Sequence, residues 1–199
     1  MTFAISPRHN LDEFPNGLTL DNKITIFIDR VEGWMLGPAK QIIESGLGHR
    51  GFVLLAIVTS YFEMIAKYQD GFAKDGSSGW YFKKGLQFVF PGMALPDAQQ
   101  LLNSLYERLR NGLYHAGMTG PNIILVNSSF GPGSIGFDPT SAAVVIAPDT
   151  LVDDLLVHFR SYATRLSDPS EQILRANFER RFEYDNTLPV QDSSKIRAA

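Results

Sequence analysis

The chain has no cysteine among its 199 residues. That excludes disulfides, thiolate metal sites and a cysteine nucleophile, and it is compatible with a reducing compartment. An excess of one charge is also lacking: 18 Lys and Arg stand against 21 Asp and Glu. Any contact with nucleic acid therefore has to be local rather than a general electrostatic grip. No apolar run reaches the roughly 18 residues of a membrane span. The opening MTFAISPRHN lacks the basic start and apolar run of a signal peptide. A cytoplasmic protein without membrane contact is the expectation. The four histidines, His9, His49, His115 and His158, show no paired spacing with carboxylates such as H-E-x-x-H. Neither a metal nor another cofactor is expected on that ground.

The pattern that is present is helical. Residues 1–20 hold Pro7, Pro15 and Gly17 among short apolar runs and read as an irregular N-terminal arm. Asp21 reads as the N-cap of a helix to about residue 45, with Ile24, Phe27, Ile28, Val31, Trp34 and Met35 at helical spacing. Gly33, Gly37 and Pro38 weaken its middle and predict a kink. Residues 50–69 are the most apolar stretch, with no polar face from Phe52 to Val58, which predicts a helix buried at the centre. A loop over residues 70–79 leads to the aromatic stretch 80–90, read as a short helix that plugs the bundle.

Residues 91–96 break the chain, and Pro96 and Asp97 signal the start of a helix to residue 118. Short apolar runs at 123–126, about 134–137 and 143–146, separated by glycine, proline and serine, predict a small β-hairpin or meander inserted over about residues 122–147. The run 128–134 is glycine-rich but lacks the lysine and downstream helix of a phosphate-binding loop. Pro148 and Asp149 open the fourth core helix, to about residue 166, and His158 beside its apolar face reads as structural. A last helix over 171–182 carries mixed charge, which marks a solvated face. The expected fold is mainly α: one helical domain over 21–183, a β-insertion before its last core helix, and a tail over 184–199.

The helix over 97–118 organises the rest. At about 100° per residue, Ala98, Leu101, Leu102, Leu105, Leu109, Gly112, Leu113 and Ala116 gather into one stripe that faces a core. Arg110, Asn111, Tyr114 and His115 lie outside that stripe, so a cation, an amide and an imidazole share the other side. Glycine inside a helix costs roughly 1 kcal/mol relative to alanine, so Gly112 predicts a close approach there. Gly117 sits at the expected C-cap.

The run Arg110-Asn111-Gly112-Leu113-Tyr114-His115 resembles the R-x4-6-H signature of the HEPN superfamily (higher eukaryotes and prokaryotes nucleotide-binding domains), in which a polar residue typically follows the arginine. The resemblance implies a four-helix bundle with the motif near the end of its third core helix. It also implies metal-independent RNA cleavage in a homodimer, with one motif from each copy. Arg110 would then clamp the phosphate, His115 move protons and Asn111 orient one of them. The chemistry suits an imidazole of pKa near 6.5 and a bidentate guanidinium. A dimer through the motif helix would also account for Gly112.

Other residues are candidates for supporting roles. Tyr114 is placed to stack on a base. Lys83 and Lys84, with Trp80 and Tyr81, are candidates for phosphate contact and base stacking. Glu63, a carboxylate on the apolar helix, has to be paired, protonated or open to a cleft. Its partner is either Lys67, four residues on, or Arg110. Two further readings stay open: a non-catalytic nucleotide- or RNA-binding or toxin–antitoxin module, and an unrelated helical interaction protein.

Overall fold

The structure is a computed structural model and describes residues 4–71, 77–94, 98–127, 133–138 and 140–186. The expected start of the motif helix at Pro96 and Asp97, most of the 70–79 loop, most of the glycine-rich run and the tail from residue 187 lie outside the described residues. The chain is mainly helical with one small sheet. In order come α1 (Leu20–Val31), α2 (Gly37–Glu44), α3 (Gly51–Asp70), α4 (Ser78–Val89) and α5 (Gln99–Ser104). Strands β1 (Ile123–Leu125), β2 (Ile135–Asp138) and β3 (Ala143–Ile146) precede α6 (Pro148–Ser167) and α7 (Gln172–Asn186).

The first helix begins two residues earlier than expected. Thr19, not Asp21, is the cap: its hydroxyl accepts from the Asn22 N–H at 3.2 Å, and Asn22 accepts from the Thr19 N–H at 3.0 Å. Asp21 instead lies in the first turn and pairs with Arg175 of α7. The weak middle is a π-helical segment, Glu32–Leu36, between α1 and α2. Its cause lies partly in the arm, since a Cβ on Gly33 would sit 2.4 Å from Pro7. The arm is pinned there by Asp29, which accepts from the Arg8 backbone N–H at 2.8 Å and from its Nε at 2.5 Å.

Helix α3 is central, packed by α2, α4, α6 and α7. Leu54, Leu55, Val58, Tyr61, Phe62 and Ile65 are fully buried. Its first turn departs from expectation, because Phe52 and Val53 are exposed. It is also long and apolar enough to cross a membrane by length and composition, with a window of mean hydropathy 1.3. That corrects the expectation that no stretch reaches this length; half of that window is buried in the protein's own core. Helix α4 lies against it so closely that a Cβ on Gly85 would fall 1.8 Å from the Phe62 carbonyl oxygen.

The expected helix over 97–118 is α-helical only at its start. It continues as two π-helical segments, Leu105–Arg110 and Gly112–Ala116. A π turn closes on i→i+5 hydrogen bonds and advances less than 100° per residue, so the stripe drawn with α-helical spacing runs out. Leu102, Leu105 and Leu109 are buried, whereas Ala116 is exposed. Gly117 ends the helix in the left-handed region at φ 67°, as expected for a C-cap. The close approach at Gly112 comes from the chain itself: a Cβ there would meet the Met118 carbonyl oxygen at 2.6 Å. A partner helix is therefore not needed to explain this glycine.

The sheet is neither a simple hairpin nor a meander. Its order is β1-β3-β2, with β1 parallel to β3 and β2 antiparallel to it. Arg108 meets this segment: its Nη1 donates to the Ala142 carbonyl at 3.4 Å. Helix α7 also differs from expectation. Leu174, Phe178, Arg181 and Phe182 are buried against the core, so its mixed charge is not a purely solvated face.

Candidate functional site

Three residues of α3, Thr59, Glu63 and Lys67, recur every fourth position and so share one face of the helix. That face floors a cleft of about 230 Å³ whose walls include Arg110 and Tyr114 from the motif helix and Arg181 and Asp185 from α7. Arg110 Nη2 donates to Glu63 Oε2 at 3.4 Å and Nη1 donates to Asn111 Oδ1 at 3.2 Å. Its guanidinium carbon lies 4.7 Å from the centre of the Tyr114 ring and 5.9 Å from that of Tyr106. Two long hydrogen bonds and two ring faces hold the group in place while leaving donors for a ligand.

Glu63 satisfies both expected pairings. Its Oε1 accepts from Lys67 Nζ at 2.8 Å and from the Ser78 hydroxyl at 3.0 Å, while Oε2 serves Arg110. The cleft is lined by three cations, Lys67, Arg110 and Arg181, and two anions, Glu63 and Asp185. Burial pushes the Tyr68 hydroxyl well above its ordinary value, and Asp185 adds to this, so Tyr68 enters the cleft as a neutral hydroxyl. Thr59, which lines the cleft, is fully buried, and its Oγ1 has no hydrogen-bond partner among the described residues. A buried hydroxyl in that state costs about 1–3 kcal/mol.

His115 is not brought into this cleft. It is exposed in the second π segment and, among the described residues, makes no hydrogen bond or ion pair. Asn111 lies beside Arg110 and accepts from its Nη1. Lys83 and Lys84 lie in a neighbouring groove with Trp80, where Lys83 Nζ donates to Asn103 Oδ1 at 2.6 Å and Lys84 pairs with Asp70. Both lysines are half-buried. Tyr81 is buried rather than presented in that groove.

Tyr106 joins the two depressions. Lys83 Nζ lies 5.8 Å from its ring centre on one side of the site, and Arg110 lies 5.9 Å from the same centre. Lys84 Nζ is 4.6 Å from the centre of the Trp80 ring, which is 51% exposed. Aromatic and cationic side chains thus alternate from Tyr114 through Arg110 and Tyr106 to Lys83, and a separate pair, Lys84 over Trp80, lines the same groove as Lys83. Sequence reasoning missed Tyr106, though its spacing of four from Arg110 and eight from Tyr114 was a visible signal. Thr59 shared the four-residue spacing with Glu63, whereas Arg181 and Asp185 carried no such signal, because only the packing of α7 against α3 brings them here. Among the described residues no group of three His, Asp or Glu side chains is gathered for a metal ion.

No family model, curated protein or solved structure matches the chain.

Proposed function

We propose that the chain is a HEPN-like nucleotide- or RNA-binding module, with the Arg110 cleft as its phosphate subsite. The observation that carries this reading is the alternation Tyr114, Arg110, Tyr106, Lys83, with the Lys84–Trp80 pair in the same groove as Lys83. Single-stranded nucleic acid offers the complement: bases stack on aromatic faces for about 1–3 kcal/mol each, and phosphates between them meet cations. Arg110 takes the phosphate because its planar fork matches two oxygens at once. The balanced overall charge fits a short local contact better than a long electrostatic track.

The test is fluorescence anisotropy of a labelled single-stranded RNA at low salt, with Arg110→Ala and His115→Ala alongside the wild type. Arg110→Ala is expected to weaken binding about tenfold or more, the loss of one charge-assisted phosphate contact. His115→Ala is expected to leave affinity within about twofold, a few tenths of a kcal/mol. Equal affinities for all three proteins would overturn the reading.

Exposed His115 favours a second reading, ribonuclease action. It lies next to Tyr114 and beside Met118, apolar side chains 51% and 59% exposed, a surface that a second copy would cover. In that arrangement a 2′-hydroxyl attacks the adjacent phosphorus, one imidazole takes its proton, and the second copy's imidazole protonates the departing 5′-oxygen. Cleavage in EDTA that leaves 2′,3′-cyclic phosphate ends and is lost in His115→Ala distinguishes this reading from binding alone.

A further inference from the structure

A second cavity, of about 530 Å³, lies between the end of α4, the start of β2 and one stripe of α6. Thr150, Asp154, His158 and Ser161 line it at spacings of four, four and three residues, so all project from one face of that helix. Phe90 and Val157 give it an apolar side. None of these residues lines the Arg110 cleft.

Ser134, the residue before β2, lines the cavity. It is 2% exposed, and its Oγ has no hydrogen-bond partner among the described residues. A hydroxyl left so buried and unpaired points to something absent from the protein itself. His158 supplies a directional donor. Its Nδ1 lies 2.7 Å from the Tyr61 hydroxyl. Burial pushes the Tyr61 hydroxyl far above its ordinary value, so it keeps its proton and can donate to that nitrogen or accept from it. In the tautomer that accepts from Tyr61, the imidazole, itself held neutral by burial, carries its proton on the other nitrogen. Asp154 contributes an acceptor, with no hydrogen bond or ion pair to any described residue.

A donor-only N–H, an acceptor-only carboxylate and hydroxyls that do both have a shared complement, the hydroxyl group. The lone negative charge of Asp154, with no cation in the lining, disfavours a phosphate or carboxylate. We propose that this cavity binds a small uncharged sugar or polyol, whose hydroxyls donate to Asp154 and accept from His158 and Ser134 while its apolar face rests on Phe90. This site is independent of the Arg110 cleft, so either can fail alone.

The test follows the His158 ring protons by NMR, assigned through His158→Gln, during titration of the full chain with D-ribose, D-glucose and myo-inositol. At least one is expected to shift them saturably. Asp154→Ala and Ser134→Ala should each weaken that probe about tenfold, the value of one hydrogen bond. Ribose 5-phosphate should bind more weakly than ribose. No shift with any of the three sugars, undiminished binding in both variants, or ribose 5-phosphate binding as tightly as ribose would each overturn the proposal.

Discussion

At Gly85 the backbones of α3 and α4 touch: the space a Cβ needs is already filled by the Phe62 carbonyl, 1.8 Å away. Alanine there has to push two core helices apart, and overpacking of this kind typically costs 1–3 kcal/mol and at times more. Gly85→Ala is expected to lower stability by about 3 kcal/mol in urea denaturation. Gly92, with nothing within 4 Å of its virtual Cβ, is the control: alanine there should change stability by less than about 0.5 kcal/mol. The sequence alone places both glycines near an aromatic helix and cannot separate them, because the distinction depends on another helix. Gly112 teaches the same lesson. Its spelling predicts a close approach, but only the fold shows that the approaching atom belongs to Met118 of the same chain.

The Tyr61–His158 hydrogen bond joins α3 to α6 across the core. Burial holds the His158 imidazole below its ordinary value of 6.5, because the charged ring would lose its water. The unfolded chain therefore takes up this proton at a higher pH than the folded chain does. The contribution is fully present above about pH 6.5 and is lost as the pH falls below it. Urea midpoints taken from about pH 8 to about pH 5.5 should fall toward acid in the wild type, and His158→Gln should flatten that part of the profile. Most elements were legible in the sequence, since apolar spacing located α1, α3, α4 and α6 to within a few residues. The π segments at Glu32–Leu36, Leu105–Arg110 and Gly112–Ala116 were not. A π turn has no spelling of its own, and it appears here where proline, glycine or a returning segment crowds the helix. The sheet order was illegible for a related reason, since three short apolar runs fit several pairings.

For the molecule as a whole, one apolar helix organises both depressions: α3 floors the Arg110 cleft and sends Tyr61 to the partner cavity's histidine. The candidate site was half legible. Arg110, Asn111, Tyr114 and Glu63 come together, whereas His115 stands outside; Tyr106 and Thr59 sit one turn from Arg110 and Glu63 on the same helices, and Arg181 and Asp185 arrive through tertiary packing alone. Residues on one helix can be grouped from spacing; residues from α3, the motif helix and α7 cannot be grouped until the helices are placed. The most direct test of the account is photocrosslinking of a short 4-thiouridine-labelled single-stranded RNA to the full chain, with the crosslinked positions mapped by mass spectrometry. The account predicts crosslinks at Tyr114 or Tyr106 and at Trp80, lost together with binding in Arg110→Ala. Crosslinks confined to other surfaces, or unchanged in that variant, would contradict it.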